Sequence, residues 1–377
     1  MRARIAYLDN LKLLVIVLVV VFHSSVAYSG IGSWYYTEKP RLDVLTLGVF
    51  GFFASFSQAF TMGLLFFMAG YVVPLAYGSR GFAAFVRNRL FRLGMPTLLF
   101  MLAIYPLVVH GLLGFARPNK YPDFFSFYAN HITSLGFTWA AGPLWFAEVL
   151  LLLSAAYALA RLWKWDIPVL RRKAMPGMGT ILFLMGAIAL LTFAIRIFYP
   201  IGTTVFNFQV YFFAQYAILF FAGIVASRKG WLERLDERQG KWWLIAAVVL
   251  GSASWAVLVR ASGIMGGNWA LLGGLHWQSA AYALWESFVG VAMSIGLLAV
   301  FRKRCGRQKG VFSGMAQNSF AVYVFHAPIV VSIALLLGPL MLHPLVKWVI
   351  LSAIAVPACF LFAAFVVRKT PVLNRIV

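Results

Sequence analysis

Ten apolar stretches, each close to the roughly 20 residues a helix needs to cross a bilayer, alternate with short polar connections along the chain. They fall near 10–29, 50–76, 93–114, 143–161, 180–199, 208–226, 242–260, 280–301, 317–337 and 345–367. The pattern predicts an all-α polytopic membrane protein of about ten transmembrane helices, with residues 1–377 as one membrane domain. Proline inside the stretches, at Pro96, Pro106 and Pro328, predicts bends, because each proline lacks the donor that would satisfy a carbonyl one turn back. The longest connection on the sparsely charged side, Phe115 to Gly142, contains Pro118, Pro122 and several aromatics, and is long enough to cover a cavity mouth.

Charge sorts these connections into two sets. Of the 32 basic residues, 24 fall in one alternating set of connections and termini and 6 in the other, while Lys12 and Arg196 lie within spans. An excess of Lys and Arg marks the cytoplasmic side, so both termini are expected to be cytoplasmic. A net charge of +22 in a soluble chain would suggest nucleic acid. Here 62% of residues are hydrophobic and the charges sit in clusters between apolar runs, so their expected partners are anionic lipid headgroups and not nucleic acid. Two cysteines, Cys305 and Cys359, offer no disulfide framework. Arg2 and Arg4 ahead of an apolar run resemble a secretory signal, but a signal core has no use for Lys12 or His23, and the segment reads as a retained span.

The first stretch, Asp9 to Tyr28, carries the most telling polar groups. At about 100° per residue, Lys12 and His23 return to within roughly 20° of each other on a helix, about 16 Å apart along its axis. One stripe thus holds a cation at the cytoplasmic end and a titratable ring toward the outer leaflet. Ionisable groups inside a bilayer are costly enough to mark function, and a neutral imidazole can accept a hydroxyl's proton. The plainer alternative is a snorkelling Lys12 and a His23 bonded to a neighbouring helix. Glu148, Arg196 and Glu286 also fall in the outer half, which suggests a polar pocket open to the far side; a Glu148–Arg196 ion pair that only fixes helix packing is the competing account. His326, beside Pro328, is either a packed histidine or part of the same site.

The cytoplasmic stretch Tyr77 to Pro96, YGSRGFAAFVRNRLFRLGMP, is the second informative segment. Arg89 and Arg92 are three apart and share a helical face, and Arg80 precedes Gly81. Clustered guanidinium groups can clamp phosphates through forked hydrogen bonds, although topological anchoring explains the same residues. The chain has no Walker A loop, HExxH, paired CxxC or G-x-S-x-G, which argues against an NTPase, a zinc site and a serine-hydrolase elbow, and no metal is expected.

Five pieces in order, YLDNLKLLVIVLVVVFH, TMGLLFFMAGYVV, GFAAFVRNRLFRLGMP, GPLWFAEVLLLL and NSFAVYVFHAPIVV, resemble the integral-membrane acyltransferase family 3 over nearly the full length. The family's first helix carries a basic residue, ten intervening residues and a histidine, which fall here on Lys12 and His23. The usual basic residue is arginine, so Lys12 keeps the charge and loses the fork. The family's arginine pair maps onto Arg89 and Arg92, with Asn88 where a further arginine often stands. FAEVLL and APIVV resemble the glucan succinyltransferase branch. The resemblance implies transfer of an acetyl or succinyl group from cytoplasmic acyl-CoA to a hydroxyl of an extracytoplasmic glycan or lipid-linked sugar, in the cytoplasmic membrane. Taken with the residues read above, it gives His23 and Glu148 as the expected catalytic residues and Lys12, Arg89, Arg92 and Arg80 as the expected acyl-CoA contacts. Arg196, Glu286, His326 and Asp9 are the expected substrate contacts. A secondary transporter or flippase using His23, Glu148 and Glu286 as a proton relay is the rival reading.

Overall fold

A computed structural model describes residues 5–38, 40–79, 81–114, 123–165, 176–307 and 310–377. Among the described residues ten helices are long and apolar enough to span a membrane: Ala6–Ser29, Val44–Gly78, Phe82–Leu112, Gly142–Leu162, Met178–Phe198, Val210–Lys229, Glu237–Gly266, Trp277–Arg304, Val311–Leu337 and Pro344–Val367. Among the described residues there is no strand beyond one isolated bridge. The all-α polytopic expectation therefore holds, and an even number of spans places both ends of the chain on one face. Loop contacts agree. Asn10 Nδ2 donates to the carbonyls of Cys305 and Arg307, and Tyr71 donates to Glu233. At the opposite end Lys347 binds Glu38 and Asn207 binds the Gly142 carbonyl.

The centre of the bundle is built from the first, second, eighth and ninth spans, with the sixth packed along the second. Lipid tails are as apolar as the side chains they would replace, so helices associate here by close packing rather than by leaving water. Gly70 and Gly223 show how: a Cβ on Gly70 would lie 2.0 Å from the Phe220 carbonyl oxygen, and one on Gly223 would lie 2.1 Å from that of Phe67. Only hydrogen fits at either position. The seventh span is the least buried of the ten and sits at the periphery.

The third span corrects the expectation for the arginine stretch. It begins at Phe82, so Arg89 and Arg92 lie in its first turns rather than in a loop. The span is not a regular α-helix. Wider π turns occupy Leu90–Gly94, Phe100–Ile104 and Leu107–Leu112, flanking Pro96 and Pro106, whose missing donors leave carbonyls for other partners. The wide turn rotates Arg92 further from Arg89 than α spacing implies. The ninth span, by contrast, stays helical through Pro328.

Two connections place the outer site. Gly30, in the left-handed conformation, ends the first span with its N–H on the Val26 carbonyl, and the chain folds back over the helix end through Trp34 and Tyr35. Before the sixth span, Phe206 and Asn207 are both left-handed; they form the two-residue turn that closes the Val205–Phe208 bridge. This turn sets Gln209 against the bundle.

Candidate active site

Three turns separate Lys12 from His23 on the first span, and the structure gives the two residues different surroundings. Lys12 Nζ lies 3.4 Å from Asp9 Oδ1, both partly exposed near the N-terminal end of the first span. His23 is enclosed by aromatic groups. The Trp34 ring stacks on it at 4.1 Å with the planes 19° apart, and His326 lies at a ring-centroid distance of 4.9 Å. His326 Nε2 is 3.0 Å from His23 Nδ1. His326 is fully buried, with its Nδ1 2.8 Å from the Tyr323 carbonyl.

His23 also lines a cavity of about 50 Å³, more than the roughly 10–15 Å³ that one water needs. Its polar walls are Ser57, Gln58 and Thr61 of the second span and Gln209 of the turn, with Trp145 and Tyr323 as aromatic walls. Gln58 Nε2 donates to the Tyr216 hydroxyl at 3.0 Å, and the Tyr323 hydroxyl donates to the Pro143 carbonyl. Two wall side chains are therefore held in place from behind. Gly142 carries the tight entry to the fourth span: its φ is +52°, and a Cβ there would strike the Tyr35 hydroxyl and Phe100. Burial raises the Tyr35 phenol well above its usual range, so it stays a neutral hydroxyl.

The expected single outer pocket is instead two buried polar centres. Arg196 Nη2 and Glu286 Oε2 pair at 2.6 Å, with exposures of 0% and 3%. Phe212 and Tyr282 present their faces to the guanidinium at 5.2 and 5.4 Å. The partner of Arg196 is thus Glu286 rather than Glu148, because the eighth span, which carries Glu286, packs along the fifth. Neither residue lines the His23 cavity, and neither does Glu148. Glu148 is partly buried in the first turn of the fourth span, and its Oε2 has no hydrogen-bond partner among the described residues. His326, expected to contact the acceptor, stands behind His23.

At the end of the bundle that carries the start of the third span, Arg89 packs over the Phe85 ring at 5.1 Å and Arg92 is exposed. Arg80 lies outside the described residues. Nearby, Arg228 donates to the Tyr157 hydroxyl at 3.2 Å and Arg161 lies over Tyr77. Sequence reasoning missed Trp34, Ser57, Gln58, Thr61, Gln209 and Tyr323. Ser57, Gln58 and Thr61 did leave a signal, as polar residues inside an apolar span. Trp34 left none, since its place over His23 is decided by how the loop folds back.

The ten apolar helices among the described residues define a multi-pass membrane protein, with the His23 imidazole held inside the bundle beside a small cavity. The acyltransferase domain model of acyltransferase family 3 matches residues 5–364, and the chain belongs to that family. It is a membrane acyltransferase, which decides against the transporter reading. No curated protein and no solved structure matches the chain.

Proposed function

We propose that the enzyme transfers an acyl group, acetyl or succinyl, from cytoplasmic acyl-CoA to a hydroxyl of a glycan or lipid-linked sugar on the outer side of the cytoplasmic membrane. The observation that carries this reading is the setting of His23: an imidazole with one face on Trp34, one edge on His326, and an opening onto a cavity where the hydroxyls and amides of Ser57, Gln58, Thr61 and Gln209 interrupt an otherwise apolar wall. Such walls suit a polyhydroxylated acceptor, whose hydroxyls need partners once taken from water.

In the proposed reaction His23 takes the proton of the acceptor hydroxyl as its oxygen attacks the thioester carbonyl. The tetrahedral intermediate collapses by breaking the carbon–sulfur bond. The thiolate of CoA leaves and receives the proton from the imidazolium, and the acceptor keeps the acyl group as an ester. Glu148, with one carboxylate oxygen unpartnered, is the second catalytic candidate. On the cytoplasmic side the CoA phosphates rest on Arg89 and Arg92, with Arg80 and Lys12 as further contacts. Lys12 shares its charge with Asp9 and contributes less than a free arginine would. The roughly 16 Å between the Lys12 and His23 levels is spanned by the pantetheine arm.

The test is turnover of acetyl-CoA and succinyl-CoA by purified protein in lipid nanodiscs, with mass analysis of the glycan acceptor. Wild type forms an acyl ester. His23→Ala, inserted and monodisperse, loses at least about 100-fold, the lower range for a general base. Unchanged turnover by His23→Ala would remove the base from this residue, and Arg89→Ala with an unaltered KM for acyl-CoA would move the donor site elsewhere.

A further inference from the structure

We infer that His326 is a positioning residue that decides which nitrogen of His23 is the base; the inference rests on the reading of His23 as the base and adds how that base is prepared. It begins at a backbone oxygen. A carbonyl can only accept, so the 2.8 Å contact between His326 Nδ1 and the Tyr323 carbonyl places a hydrogen on Nδ1. The His326 ring has no exposed surface, and among the described residues its hydrogen-bond partners are the Tyr323 carbonyl and His23, with no acidic side chain bonded to it. A second proton would create a cation there with no countercharge to offset its desolvation. His326 is therefore the neutral Nδ1–H tautomer, and its Nε2 carries a lone pair.

That lone pair faces His23 Nδ1 at 3.0 Å. Two lone pairs would repel, so His23 Nδ1 bears the hydrogen and donates. The remaining nitrogen of His23, Nε2, is then an unprotonated base, on the ring edge away from Nδ1. One hydrogen-bond direction thus passes from the Tyr323 carbonyl through two rings. Two further contacts keep the chain in register. The Trp34 stack holds the plane of the His23 ring. The Tyr323 hydroxyl, bound to the Pro143 carbonyl, ties the residue that supplies the first acceptor to the entry of the fourth span.

A ring flip of His23 would replace Nδ1 by a carbon and lose the hydrogen bond, so the tautomer and the orientation are set together. When Nε2 takes the acceptor's proton, Nδ1–H remains bonded to His326. A neutral imidazole serves here where a soluble enzyme would often use a carboxylate, and it orients the base without an extra buried anion inside the bundle.

The test has an arm independent of turnover. The chain has six histidines; in protein labelled with ¹⁵N only at histidine, His23→Ala identifies the His23 signals. Wild-type His23 should show a protonated, pyrrole-type Nδ1 and an unprotonated, pyridine-type Nε2. In His326→Ala, His23 should become a mixture of both tautomers. A wild-type His23 protonated at Nε2, or no spectral change in His326→Ala, overturns the inference even if acyl transfer proceeds. In the kinetic arm, His326→Ala lowers kcat about 100-fold with the KM for acyl-CoA within twofold, and His326→Gln, whose amide oxygen can accept from His23 Nδ1, recovers most of the loss. A Gln variant no better than Ala overturns the positioning role. If His326→Ala fails to insert, wild type and the Gln variant still decide by their ¹⁵N signals. Absence of acyl transfer in wild type, with the tautomer signals as stated, would fail the proposed reaction and leave the ring chain standing.

Discussion

The most deeply buried charges in this bundle, Arg196 and Glu286, answer one another. Arg196 and Glu286 are sealed together, and the physics of such a pair makes a sharp statement. Removing one partner strands a charge and costs about 3–5 kcal/mol, whereas replacing both with apolar groups of similar size is near neutral. Arg196→Met and Glu286→Leu singly should each lower the unfolding midpoint in detergent, and the double variant should return close to wild type. A double variant as unstable as the sum of the singles would show that the pair does more than satisfy itself. At this scale much was legible in the chain: His23 stood out because a titratable ring that follows ten unbroken apolar residues needs a reason. What could not be read was the partner of each group. Glu148, Arg196 and Glu286 have similar depths, and depth alone does not say which two helices touch.

Among the elements, the close approach of the second and sixth spans depends on hydrogens where any side chain would meet backbone. Gly70→Ala should cost about 1–3 kcal/mol because its Cβ would meet the Phe220 carbonyl, which cannot move alone. Gly63→Ala should cost less, since the atom it meets at 2.7 Å is the tip of Leu219, free to change rotamer. Thermal unfolding in one detergent compares them; equal losses would contradict this packing account. The start of the second span is set by Asp43, which accepts from the Thr46 N–H and hydroxyl. Those bonds hold its carboxyl below the ordinary value of 3.8, so its stabilising effect is present above that value and fades as pH falls through the lowered one. The difference in unfolding midpoint between wild type and Asp43→Ala should therefore be constant near neutrality and shrink below about pH 4. The third span was the element least legible in sequence: Pro96 and Pro106 announced a disturbance, but the π turns that accommodate them depend on the helices packed alongside.

Over the whole molecule, ten spans and a lopsided distribution of basic residues make the topology testable. In a variant lacking Cys305 and Cys359, a cysteine at exposed Ser79 should react with an impermeant maleimide only after the membrane is opened, and one at exposed Thr203 should react in intact cells. The reverse pattern would invert the chain. The ten spans, their alternation and the two-sided sorting of charge were determined by the sequence alone, because crossing a bilayer imposes a length and a polarity that each segment must meet by itself. Lys12 and His23 on one stripe belong to the same class, since helical geometry is local. The tertiary structure alone decided that His23 meets His326, that Trp34 covers both, that Gln58 and Gln209 share a cavity wall, and that Arg196 chooses Glu286. Those are contacts between residues distant in the chain, and in a membrane they turn on which helix faces fit closely enough to touch, a property of pairs of surfaces that no single segment carries.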